Sequence, residues 1–140
     1  MKDLSLRRIL FVEDDPDIRT VAKMALEAIG GFTVLACSSG HEALNRLDGF
    51  SPDLVLLDVM MPGIDGPATL AALRQIPSGR DLPVVFMTAR VQAQEIASYR
   101  EIGAEDVIAK PFDPMMLAEQ VRSIWASLRN RESGAAGGAG

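Results

Sequence analysis

Five residues able to do chemistry stand at the ends of short apolar runs. Glu13 and Asp14 follow Ile9-Leu10-Phe11-Val12, Asp58 closes Leu54-Val55-Leu56-Leu57, Thr88 closes Pro83-Val84-Val85-Phe86-Met87, and Lys110 closes Asp106-Val107-Ile108-Ala109. A continuous apolar run reads as a strand covered on both faces, as in a parallel sheet flanked by helices. In such open sheets ligands bind outside the carboxyl ends of the strands. Three acids, a hydroxyl and an amine are therefore expected on one sheet edge.

Carboxylates that close repel, so one of them must take a proton unless a cation is present. The fitting cation is hard and oxygen-seeking. Mg2+ takes octahedral oxygens at about 2.0–2.1 Å, keeps several waters, and combines one or two carboxylates with a substrate phosphate. Asp14 and Asp58 are the expected direct ligands, Glu13 reaches through water, and the backbone carbonyl of Met60 fills another position. Lys110 and Thr88 then suit an arriving anion: the amine as a point charge on one phosphate oxygen, the hydroxyl as a donor to another. Asp58 can be the nucleophile that accepts a phosphoryl group as an acyl phosphate. Positioning and charge neutralisation are most of what such a transfer asks of a protein.

The elements holding these residues alternate. Ile9-Leu10-Phe11-Val12 is followed by a helix that Pro16 opens, with Ile18, Val21, Ala22, Ala25, Leu26 and Ile29 at spacings of three and four, and Gly30-Gly31 stops it. Phe32–Ala36 is a second strand, and Ser38-Ser39-Gly40 opens a second helix carrying Ala43, Leu44 and Leu47. A third helix is predicted over Pro67–Ile76, with Pro77-Ser78-Gly79 breaking it. Ile96, Tyr99 and Ile102 mark a fourth, ended by Gly103, and Leu117, Val121, Ile124, Trp125 and Leu128 stripe a last one. Five rounds of strand then helix, with short connections, imply a parallel sheet with helices on both faces.

Composition narrows the class. The chain has 140 residues, 48% of them hydrophobic, a formal net charge of -5 and one cysteine. That suits one folded domain. No apolar run approaches the ~20 residues of a membrane helix, and the start lacks the apolar core and cleavage site of a signal peptide, so a cytoplasmic protein with no membrane partner is expected. Acids and bases are mixed with no basic stripe, which speaks against direct binding of nucleic acid. Cys37 alone forms no disulfide framework and reads as core.

Glu13-Asp14-Asp15, Asp58 followed by Met61-Pro62-Gly63-Ile64-Asp65-Gly66, Thr88-Ala89, and Lys110-Pro111-Phe112 together resemble the receiver domain of two-component response regulators. Each piece alone is weak, but four in order at matching strand ends are specific. The resemblance covers roughly Arg8 to Arg129, and the domain is bounded at 7–130, with a disordered Gly/Ala-rich tail expected over 131–140. It implies an α/β, flavodoxin-like (βα)5 fold with a five-stranded parallel sheet of order 2-1-3-4-5. It also implies that Asp58 accepts phosphate from a sensor histidine kinase or histidine phosphotransfer protein, that Mg2+ is required, and that the Lys110-Pro111 bond is cis. The protein is then a signalling switch rather than an enzyme, although it catalyses its own phosphorylation and dephosphorylation.

One position departs from the family pattern. Three residues before the lysine, receivers commonly carry an aromatic that swings inward as the threonine moves toward the phosphate; here it is Val107. The switch is then expected to act through Thr88, the loop from Thr88 to Val91 and the helix beyond. Met60 and Arg90 flank the entrance, where family positions bear on the lifetime of the acyl phosphate.

Other polar residues have structural readings. Asp15 and Asp17 read as helix cap and first-turn acid, Asp65 as the cap of the third helix, and Gly66 as a residue permitting a tight backbone. His41 reads as exposed surface. Tyr99, Trp125 and Met115-Met116 read as helical residues at core-compatible spacing, explained by packing or a partner face rather than by a cofactor.

Three outputs are compatible with the chain: a stand-alone receiver acting by protein contact through its fourth helix, fifth strand and fifth helix; a phosphorelay shuttle or phosphate sink; or a piece of a larger regulator. A Mg2+-dependent aspartyl phosphatase is the distant alternative. Such enzymes need a second Asp two residues after the nucleophile, where this chain has Met60.

Overall fold

The apolar runs form strands, the three central ones buried along most of their length and the two edge strands only in part. In the computed structural model, which describes residues 5–139, the last eight of them in backbone only, they are β1 (Arg8–Val12), β2 (Thr33–Cys37), β3 (Leu54–Asp58), β4 (Val84–Thr88) and β5 (Asp106–Ala109). Between and after them run α1 (Pro16–Ala28), α2 (Gly40–Phe50), α3 (Gly66–Leu73), α4 (Ala93–Glu101) and α5 (Leu117–Ala139). All pairings are parallel and the order is β2-β1-β3-β4-β5, the flavodoxin-like arrangement. No described helix is long and apolar enough to cross a membrane.

Because strand side chains alternate, each strand feeds two cores. Ile9, Phe11, Leu54, Leu56, Val85 and Met87 pack with Ala22 and Leu26 of α1 and Leu117 and Val121 of α5. Leu10, Val12, Val55, Leu57, Val84 and Phe86 pack with Ala43 and Leu47 of α2 and Leu70 and Leu73 of α3. All five residues of β3 are buried. Each buried Leu or Phe contributes about 1.5–3 kcal/mol by leaving water, which makes β3 a rigid support for Asp58.

The helix starts are fixed by their caps. The Asp15 carboxylate accepts from the N–H groups of Asp17 and Ile18 at 2.8 and 3.1 Å, Ser39 Oγ from Glu42 at 3.1 Å, and Asp65 Oδ1 from Ala68 at 2.9 Å. Gly66 brings α3 against the end of β3: a Cβ there would lie 2.7 Å from the Asp58 carbonyl oxygen and 2.8 Å from Val59 Cα.

Several expectations are corrected. The third helix stops at Leu73 instead of Ile76, because the N–H groups of Gln75 and Ile76 turn to the i−3 carbonyls of Ala72 and Leu73, tightening the chain into a separate 3-10 turn at Pro77–Gly79. Arg74 holds this corner, donating to the carbonyls of Gly79, Leu82 and Gly103 at 2.8, 2.8 and 3.2 Å. Met115 and Met116 precede α5 in an Asp113-centred turn instead of lying on the helix, and at 70% and 44% exposed they do not serve the packing half of their reading. Ile102, at the C-cap of α4, is likewise exposed. Tyr99 and Trp125 do pack against the cores, and Cys37 is buried and His41 exposed. The helix assignment of α5 continues through the Gly/Ala stretch to Ala139. The disordered tail expected over 131–140 falls on residues whose side chains from 132, and all of Gly140, lie outside the described ones.

Candidate functional site

The parallel sheet places the ends of β1, β3, β4 and β5 side by side, and the five chemistry-bearing residues converge there. Asp58 is the last residue of β3 and Thr88 the last of β4, while Glu13 and Asp14 follow β1 and Lys110 follows β5. Glu13, Asp58 and Thr88 are 1%, 3% and 3% exposed. Lys110 Nζ lies 2.8 Å from Glu13 Oε1 and 3.3 Å from Asp58 Oδ1. The Lys110-Pro111 peptide is cis, and the Lys110 N–H donates to the Thr88 carbonyl at 2.9 Å, tying the end of β5 to that of β4.

Burial alone would push the Lys110 ammonium down, but its hydrogen bond to Glu13 and the charges of Asp58 and Glu13 outweigh that and hold it above the usual lysine range. Lys110 stays charged at neutral pH. Thr88 Oγ1 accepts from the Arg90 N–H at 3.1 Å, which leaves its own proton available for an incoming oxygen.

One carboxylate oxygen from each of Glu13, Asp14 and Asp58 lies within 4.8 Å of the others, Asp14 being the more exposed of the three. The set is all oxygen and doubly buried, and neither His nor Cys belongs to it. Such donors suit a hard divalent cation and disfavour soft metals.

The rim carries Met60, 66% exposed, and Arg90, whose exposed guanidinium is 4.0 Å from Glu95. Val107 is the register partner of Phe86 on β4 and packs half-buried against the second core, as Tyr99 also does. Tyr99 meets Phe86 edge-on, centroids 5.3 Å apart and planes at 88°. Burial pushes the Cys37 thiol, at the end of neighbouring β2, up to about 11, with Glu42 adding to it.

Sequence reasoning missed Arg19. From α1 it donates through Nη1 to the backbone carbonyls of both Glu13 and Asp14, at 2.8 and 3.2 Å. The only signal was a cation one turn into a helix that follows acids, which no motif distinguishes from a solvated side chain.

The model of the response regulator receiver domain matches residues 9–122. Among curated relatives, the transcriptional regulatory protein CseB of Streptomyces coelicolor is 38% identical over 83% of this chain and 48% of its own length. The phosphate regulon transcriptional regulatory protein PhoB of Escherichia coli is 38% identical over 84% of this chain and 51% of its own. The chain thus spans about half the length of these relatives. Among solved structures, a response regulator from Chloroflexus aurantiacus superposes with a TM-score of 0.76 at 34% identity, covering 87% of this chain and 99% of that one. Receiver domains bind Mg2+ at an acidic pocket, and a Glu/Asp/Asp group stands at these strand ends. From its matched residues, strand order and clustered strand-end acids, the chain belongs to the response regulator receiver family, the phosphorylation-dependent switches of two-component signalling.

Proposed function

We propose that Asp58 is the phosphoryl acceptor of this receiver and that a histidine kinase or histidine phosphotransfer protein supplies the group. The observation that carries this reading is the Lys110 ammonium poised between Glu13 and Asp58 at 2.8 and 3.3 Å. An Asp58 carboxylate oxygen attacks phosphorus, the bond from phosphorus to the donor nitrogen breaks, and the electron pair leaves with the imidazole. Lys110 balances the charge of the transferred group, and the Thr88 hydroxyl donates its free proton to one of its oxygens. Asp14 and Asp58 would hold Mg2+ directly, Glu13 through water and Met60 through its carbonyl; the ion supplies charge neutralisation on the transferring phosphoryl group.

A groove of about 240 Å3 beside Lys110, lined by Ile18, Val21, Pro111, Phe112 and Pro114, offers an apolar landing surface for the phosphodonor next to the site. Output passes through protein contact, with Thr88, the loop after it and α4 moving in place of an aromatic at Val107. A second reading has support in the half-length match to proteins named as transcriptional regulators: the receiver would govern an output region outside these residues. Incubation with Mg2+ and acetyl phosphate followed by intact-mass measurement tests acceptance. One base-labile phosphoryl adduct is expected on the wild type and none on Asp58→Asn; an equal adduct on both would refute Asp58.

A further inference from the structure

The loop between β1 and α1 delivers two of the three acids. Three sets of bonds hold it. The Glu13 N–H donates to the Cys37 carbonyl at 3.0 Å, the Asp15 N–H donates to Glu13 Oε2 at 3.2 Å, and the half-buried Arg19 guanidinium takes the Glu13 and Asp14 carbonyls at 2.8 and 3.2 Å. The Arg19 N–H itself donates to the Asp15 carbonyl at 2.9 Å, and Asp15 caps the same helix. Loop, cap and arginine therefore close a ring in which α1 grips the peptides that carry Glu13 and Asp14.

We propose that Arg19 is a positioning residue for the cation site: by fixing both carbonyls it sets the directions in which the Glu13 and Asp14 side chains leave the backbone toward Asp58. This role rests on the acceptor reading above. Fixing a carbonyl fixes its peptide plane, and with it the exit vectors of the flanking side chains. A guanidinium does this better than an ammonium, because its donors are held in a rigid planar fork while a lysine is a point charge on a flexible stem. Partners outside the ligand shell that orient ligands are worth about 10–100-fold in metal affinity. Arg19 touches no carboxylate oxygen of the site in these contacts, so its removal leaves the donors present but loosens their aim.

The test is Mg2+ titration of the intact chain by isothermal calorimetry, with phosphorylation by acetyl phosphate followed in parallel across Mg2+ concentrations. For Arg19→Ala we expect the Mg2+ Kd to rise by about 10–100-fold, while the rate at saturating Mg2+ stays near that of the wild type. Arg19→Lys recovers part of the affinity through one carbonyl. Arg19→Gln, which keeps an amide donor, is read in the same way should the alanine variant fail to fold. An affinity within about twofold of wild type in the folded variants, or a rate that falls equally at low and saturating Mg2+, overturns the role. Wild type that takes up no Mg2+ overturns the metal reading and this role together; wild-type binding with unchanged variants overturns this role alone.

Discussion

At the scale of single residues, Lys110 is the resident countercharge of the acidic cluster. A cation entering among Glu13, Asp14 and Asp58 must compete with an amine already 2.8 Å from one acid and 3.3 Å from another. Lys110→Ala should therefore lose about 2 kcal/mol of stability in metal-free buffer, less than the ~3–5 of a fully buried broken pair because the amine is partly exposed. Mg2+ should restore much of that by binding the folded state. Urea unfolding with and without Mg2+ checks this, and a loss independent of Mg2+ would contradict it. The pH dependence has a definite sign. The folded Lys110 pKa lies above the ordinary value of ~10.4, so its stabilisation is complete below that pH and disappears as pH rises through the folded value. Metal-free wild type should lose stability over that alkaline window, and Lys110→Ala should show a flatter profile there.

Among the elements, α4 is the least anchored helix, since none of its residues is buried. Its main inward contact is Tyr99, edge-on to Phe86 on the strand that ends in Thr88. Amides of α4 should exchange faster than those of α1 and α2, and Tyr99→Ala should speed them further while leaving β1 and β3 protected. Hydrogen exchange read by mass spectrometry decides it; equal protection of α4 and α1 would contradict the assignment. Helix periodicity located α4 through Ile96, Tyr99 and Ile102, but could not tell which of these turns inward. Ile102 ends at a C-cap, where the helical face no longer applies. The early end of α3 was hidden for a related reason: Leu73 and Ile76 fit one face, yet the backbone shifts to i−3 hydrogen bonds where Arg74 gathers the carbonyls of Gly79 and Leu82 just downstream and of the more remote Gly103. The caps Asp15 and Asp65 were legible because capping is local in sequence, and Ser38-Ser39-Gly40 marked the start that Ser39 caps.

For the molecule as a whole, alternation of apolar runs and helical stripes dictated a parallel sheet with covered faces, but many strand orders satisfy that pattern. The order β2-β1-β3-β4-β5 came from resemblance at the strand ends and is what the fold shows. The acids, Thr88 and Lys110 were legible because each closes an apolar run, and parallel strands put their carboxyl ends on one edge. Arg19 was not, since a guanidinium reaching back to two main-chain carbonyls is visible only once the helix has folded over the loop. The described residues thus combine an acidic mouth, an apolar groove beside it and a weakly held helix downstream of Thr88.

Reductive trapping tests the central claim most directly. After exposure to acetyl phosphate and Mg2+, borohydride reduces an acyl phosphate to the alcohol, and peptide mapping locates the change. The account predicts conversion of Asp58 to homoserine, dependent on Mg2+ and absent at Glu13 and Asp14. Conversion at either of those acids, or none in the folded, Mg2+-supplied protein, would contradict it.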